Sequence, residues 1–155
     1  MGLQHLVEAI KLLENVLLVI RIRDEQDECN LHTLKTLVPL SLNIEFSTSV
    51  SFKDDLDRSD LLVSFSSTAI EEALYARKPV GLFGGSDRYR HLPGSREFPS
   101  IECRSAVYHL SKHNLSEMLN QIVKVHKNTP LTENEIKPYV WENNVVNRED
   151  FIKKL

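Results

Sequence analysis

The chain has 155 residues, 41% hydrophobic and 26% charged, which fits one globular domain with a sizeable core. Nineteen basic against 22 acidic side chains leave a net charge of -3, which argues against a general nucleic-acid binder. Five Gly and 6 Pro exclude a collagen-like or linker sequence, and the apolar content excludes a disordered tail.

Cys29 and Cys103 are too few for the disulfide framework of a small secreted protein and match no paired metal-binding spacing. The N-terminus lacks the basic and apolar regions of a signal peptide. The longest apolar stretch, 16–20, is far too short to span a bilayer. A soluble, cytoplasmic chain with two reduced thiols and no transmembrane segment is expected.

In chain order, Leu3, Leu6, Val7, Ile10 and Leu13 recur at helical spacing and predict a helix over 3–14. The continuous apolar run 16–22 predicts a strand covered on both faces, as in a parallel sheet. A short helix over 30–38, closed by Pro39, and a second strand over 43–47 follow. The acidic stretch 52–59 reads as a short helix or turn, 61–65 as a buried strand, 68–77 as a helix and 79–83 as a fourth strand. Residues 86–100, with Pro93, Gly94 and Pro99, read as a long loop, and a fifth strand is expected over 106–110. Asn114 with Glu117 opens a helix whose apolar face is Leu115, Met118, Leu119, Ile122 and Val123. Thr132 with Glu135 starts a further helical stretch, Tyr139 and Trp141 read as packing anchors, and 147–155 reads as helical. Strands alternating with helices predict a single α/β domain: a doubly wound, mostly parallel sheet of about five strands flanked by helices.

The segment richest in chemistry runs from Asp60 through Ser66, Ser67, Thr68 and Glu72 to Lys78-Pro79-Val80. It reads as strand, hydroxyl-rich turn, helix N-terminus, helix, and a turn into the next strand. Three hydroxyls beside free backbone N–H groups at the positive end of a helix dipole suit an anion. The carboxyl end of a parallel strand is also where open α/β sheets bind ligands. Glu72, about one helical turn past Thr68, is placed to accept hydrogen bonds from sugar hydroxyls. The plainer reading stands beside this one: Thr68 and Glu71 have capping-box spacing, so the turn serves only as a cap.

The run Ser66-Ser67-Thr68-Ala69-Ile70-Glu71-Glu72-Ala73-Leu74, with Lys78-Pro79-Val80 after it, resembles the donor-binding motif of GT-B glycosyltransferases and their relatives, including the UDP-N-acetylglucosamine 2-epimerases. Asp60-Leu61-Leu62-Val63-Ser64 is similar to the strand that enters that motif. The resemblance implies a Rossmann-like C-terminal half of a two-domain transferase of surface or capsular polysaccharide, or of another glycoconjugate. Ser66, Ser67 and Thr68 would then face the diphosphate of a nucleotide-sugar donor, and Glu72 would hold ribose hydroxyls. It implies no tightly bound cofactor, since the nucleotide-diphosphate sugar is a substrate. It further implies an acceptor-binding N-terminal domain or subunit as partner, which would supply the general base and any peripheral membrane association. The chain departs from the family in reading Arg21-Ile22-Arg23 where many relatives carry a His-Pro pair. It also starts directly with a helix where the family has a strand and a glycine-rich loop, a strand that the family's order would make central.

Arg21 and Arg23, at a strand's carboxyl end, are further candidates for the nucleotide site. Arg88, Arg90 and His91, with Arg96, make the loop after the fourth strand locally basic, which suits either a phosphate or acceptor contact or simply a solvated loop. No catalytic residue emerges, and no Gly-x-Ser-x-Gly elbow supports a hydrolase. His109 and His113 lack a shared face and further ligands, so no metal site is expected. The rival to the donor-binding reading is a non-catalytic α/β module, regulatory or for assembly.

Overall fold

The computed structural model of the protein describes residues 2–21, 36, 43–47, 51–64, 67–83 and 93–139. In chain order its elements are α1 (Gly2–Ile10), β1 (Leu18–Arg21), β2 (Ile44–Ser47), α2 (Phe52–Asp57), β3 (Leu62–Ser64), α3 (Ser67–Tyr75), β4 (Val80–Leu82), β5 (Val107–His109), α4 (Leu115–His126) and α5 (Glu133–Ile136). The architecture is therefore α/β, and every described strand pairing is parallel. No described helix is long and apolar enough to cross a membrane.

The strands form two small sheets rather than one. β1 pairs with β2 from Leu18 opposite Ile44 to Arg21 opposite Ser47, while β4 lies between β3 and β5. Among the described residues β1 and β3 each have one partner strand. β4 is fully buried along its length, whereas all four residues of β1 are only half-buried. The expectation that the run 16–22 would be covered on both faces is not met over 16–21, where Leu17 is exposed and the others are half-buried. An isolated parallel bridge pairs Ser95 with Tyr108, its N–H donating to the Val107 carbonyl at 2.9 Å, and so tacks the loop 93–100 to the outer edge of β5.

The period-two alternation of strand residues sorts the core onto the two faces of the three-stranded sheet. Leu62, Val80, Leu82 and Val107 point to one face, where they meet Leu56 of α2, Ile70, Ala73 and Leu74 of α3, and Ile136 of α5. Val63, Phe83 and Leu110 point to the other, against Leu6, Ala9 and Ile10 of α1 and Leu115 and Leu119 of α4. Tyr108 joins that second face with Met118 and Ile122 of α4. Leu18 of β1 and the preceding Val16 pack into the same cluster as Val63 of β3 and Leu61 just before it, so β1 is the inner strand of its pair.

Several boundaries differ from those the sequence suggests. α1 ends at Ile10 rather than near 14, through tight-turn hydrogen bonds from Leu12 to Ala9 and Leu13 to Ile10, followed by Asn15 at φ 58°. Asn is among the residues that adopt this left-handed conformation readily. On α4 the buried stripe is Leu115, Met118, Leu119, Ile122, Val125 and His126, with Val123 only half-buried. Asn114 precedes α4 without a side-chain capping bond, whereas Thr132 and Glu135 form the full reciprocal capping box of α5. The helices expected over 30–38 (Thr36 apart) and 147–155, together with Trp141, lie outside the described residues.

Candidate functional site

β3 ends at Ser64 and α3 begins at Ser67, so one short connection places a helix N-terminus at the carboxyl end of a parallel strand. α3 holds this position because Ile70, Ala73 and Leu74 are buried against the sheet. Those three fix its rotation and turn Glu71 and Glu72 to solvent. Helix geometry starts the Glu72 side chain about 7.5 Å along the axis from Ser67, at 1.5 Å per residue. Thr68 is already inside the first turn, so the Thr68–Glu71 capping box expected from spacing falls one or two residues out of register with the helix start. The position before Ser67 belongs to Ser66, which lies outside the described residues. For Ser67 and Thr68 the backbone alone is described.

α3 stops as deliberately as it starts. The Lys78 N–H donates to the Ala73 carbonyl at 2.9 Å and the Arg77 N–H to the Leu74 carbonyl at 3.0 Å, with Arg77 at φ 63°. This is a Schellman motif with arginine in the left-handed position that usually takes glycine. It turns the chain so that the Pro79 carbonyl accepts from the Leu62 N–H at 3.1 Å, starting β4 alongside β3.

A second polar cluster closes the carboxyl ends of β1 and β2. Ser47, the last residue of β2, donates its hydroxyl to the Asp55 carboxylate at 2.6 Å, and Arg21, the last of β1, donates to the same oxygen at 2.8 Å. The Arg21 guanidinium also lies over the Phe52 ring, 5.4 Å from its centre. Arg58 reaches the other Asp55 oxygen at 3.4 Å and pairs with Glu45. The Ser47 hydrogen bond, opposed by burial and joined by the Arg21 hydrogen bond and charge, holds the Asp55 carboxyl below the usual carboxylate range. Asp55 thus stays an anion among two cations and a hydroxyl. Leu56, the next residue of α2, enters the core with Ile70 and Leu74. α2 therefore ties the polar ends of β1 and β2 to the helix that begins at Ser67.

Of the residues singled out from sequence, Arg21 is thereby placed at a strand's carboxyl end and held there by a buried carboxylate. Arg23, Arg88, Arg90 and His91 lie outside the described residues. Sequence reasoning missed Asp55, which it left within an acidic helix or turn. The available signal was its place beside Leu56 in a short amphipathic helix, which puts one carboxylate close to the buried face.

A cavity of about 550 Å³ opens elsewhere, at the amino end of β5, between Ile101, Arg104, Lys124, Lys127, Thr129 and Glu135. In its charged wall Lys124 and Lys127 are exposed, while Arg104 and Glu135 satisfy each other. Arg104 donates to Glu135 through Nε at 3.0 Å and through a terminal nitrogen at 2.5 Å, and to the Thr129 carbonyl at 2.9 Å. It therefore reads as a structural clasp between the β5 approach and α5.

No protein-family model, no curated protein and no solved structure matches this chain.

Proposed function

We propose that the chain is the nucleotide-sugar-binding domain of a GT-B-like glycosyltransferase, with a Rossmann-like, doubly wound sheet. The observation that carries this reading is the start of α3 at Ser67, directly after a serine-rich connection from the carboxyl end of parallel strand β3. A helix N-terminus in that setting offers backbone N–H donors and a positive dipole end to a diphosphate. The strand orders support the same topology. β2–β1 on one side and β3–β4–β5 on the other follow the order of a doubly wound sheet, and the break falls where such a sheet has its first strand. In this reading Ser66, Ser67 and Thr68 meet the diphosphate, Glu72 meets the ribose and Arg21 meets a phosphate oxygen. Sugar transfer itself would use a general base from a second domain.

Calorimetric titration of the intact chain with UDP, GDP and CDP tests the reading. Binding of one of them is expected, and no binding to a normally folded chain refutes it. The register of α3 also favours a second reading, in which Ser66 occupies the cap position and serves the helix alone. Replacing Ser66 and Ser67 by alanine separates the two. Loss of nucleotide affinity with unchanged melting supports donor binding, and loss of stability alone supports the cap.

A further inference from the structure

Sheet edges are normally blunted by charge, proline or a covering element. β1 and β3 are edge strands among the described residues, yet 17–20 and 61–63 hold neither charge nor proline. Leu18 of β1 and Val63 of β3 both pack against the cluster built on Leu6, Ala9 and Ile10 of α1, so the two edges share one covering helix. In a parallel strand successive residues aim their N–H and C=O groups alternately to the two sides. The Leu18 N–H donates to the Asn43 carbonyl at 2.9 Å, on the β2 side. The Leu62 N–H donates to the Pro79 carbonyl at 3.1 Å, and the Ser64 carbonyl accepts from the Phe83 N–H at 3.3 Å, both on the β4 side. Val19 and Val63 therefore aim their backbone groups the other way, into the space between the two sheets, where no described strand meets them.

Neighbouring strands lie about 4.8 Å apart and pair, whereas a helix is about 10 Å across. Two unpaired edges beneath one helix thus leave the width of a single further strand. Val19 and Val63 are half-buried, and only another extended backbone can satisfy a row of polar groups on each side of itself. One face of that space is the α1 cluster, and the other is the cluster in which Leu62 meets Leu56 and Ile70. A strand covered on both faces needs a near-continuous apolar run. The stretches outside the described residues hold no run of five apolar residues, the nearest, 37–42, being broken by Pro39 and Ser41. A second copy has its own runs 16–20 and 61–63 committed in and around β1 and β3, so it has none to spare. We propose that the facing edges of β1 and β3 form a docking slot for an extended apolar segment of a partner polypeptide, which enters as a parallel strand and joins the two sheets into one. This is strand addition at two edges at once, with main-chain hydrogen bonds giving affinity and the two apolar faces giving selectivity. The slot is read from the strand edges alone and holds whether or not a nucleotide binds.

The probe is the peptide Lys-Val-Ile-Val-Ile-Val-Lys, titrated into the intact isotope-labelled chain while amide hydrogen exchange is followed by NMR. In the chain alone, Val19 and Val63 should exchange at least about tenfold faster than Ile20 and Leu62, whose N–H groups point into the β1–β2 and β3–β4 ladders. At about 100 times its Kd, the peptide should slow exchange at both valines about 100-fold. The same peptide methylated on its three valine nitrogens keeps every side chain but cannot donate to one of the two edges. Its affinity should fall at least about tenfold, the scale of a few lost hydrogen bonds. The amides of Val80 and Leu82 in β4 should stay slow throughout, which controls for loss of the fold. Slow exchange of Val19 and Val63 in the chain alone means that the edges are filled from within, by this chain or a second copy, and overturns the proposal. Protection by the peptide of one valine only, or of neither, overturns it as well, and so does equal binding of the methylated peptide.

Discussion

Tyr108 and His126 share a buried hydrogen bond of 2.7 Å between the phenolic oxygen and Nε2, joining β5 to the end of α4. The Tyr108 oxygen also accepts from the Ser105 N–H at 2.9 Å. The other ring nitrogen of His126, Nδ1, has no partner among the described residues. Burial raises the Tyr108 pKa to about 12, keeping the phenol protonated. Burial, with the nearby Arg104 charge, lowers that of His126 to about 4.

The fold should therefore lose stability in mild acid. His126 is neutral in the fold but takes up a proton near pH 6.5 when unfolded, so the unfolded state binds more protons between pH 6.5 and about 4. The contribution is complete above pH 6.5 and is lost as pH falls through that window, at up to about 1.4 kcal/mol per pH unit. Denaturant unfolding across this range should show the slope, and His126→Gln should flatten it. Tyr108→Phe leaves the Ser105 N–H and Nε2 unpaired and should cost about 1–3 kcal/mol.

Glu135 serves two neighbours at once. It closes the capping box of α5, its Oε1 accepting from the Thr132 N–H at 3.0 Å, and it pairs with Arg104, whose side chain is only 8% exposed. Glu135→Ala should cost about 3–5 kcal/mol, because it strands a buried guanidinium as well as a cap. Thr132→Ala removes the cap alone and should cost about 1 kcal/mol. Equilibrium unfolding of the two variants checks the ordering.

Arg77→Gly should stabilise the protein. A non-glycine residue in the left-handed conformation carries roughly 1 kcal/mol of strain, and one terminal nitrogen of Arg77 is buried without a partner among the described residues. A rise of about 1 kcal/mol in unfolding free energy is expected, and an unchanged or lower value would show that packing of the arginine stem outweighs both effects.

Gly81 sits at the centre of β4, paired with Val63 on one side and Tyr108 on the other. A Cβ there would lie 2.6 Å from the Leu110 Cδ1. Gly81→Ala should cost about 1–3 kcal/mol through overpacking. Adding Leu110→Ala should recover part of that loss, which a double-mutant cycle in unfolding free energy would reveal.

Apolar runs located four of the five described strands and an alternating segment, 43–47, the other, with ends shifted by a residue or two, because a run such as 61–65 has no other way to satisfy its burial. Thr132 and Glu135 announced α5 correctly because a capping box is complete within four residues. The misses share a cause. The split between β1 and β3 and the grip of Asp55 on Arg21, 34 positions away, are set by contacts distant in sequence. His126 was legible in principle, since it follows Met118 and Ile122 at steps of four on the buried stripe of α4. A histidine on that stripe marks an internal hydrogen bond rather than a solvent-facing charge.

The division of the strands into two sheets also bears on how the molecule breathes. Cooperative opening follows boundaries where few backbone hydrogen bonds cross. Among the described strands none crosses between the β1–β2 pair and the β3–β4–β5 sheet. The pair is retained by the apolar contacts of Val16 and Leu18 and by the polar grip of α2. Its amides should exchange with solvent water through a partial opening that leaves β4 closed, which makes the end of the fold bearing Arg21 its first foldon to loosen.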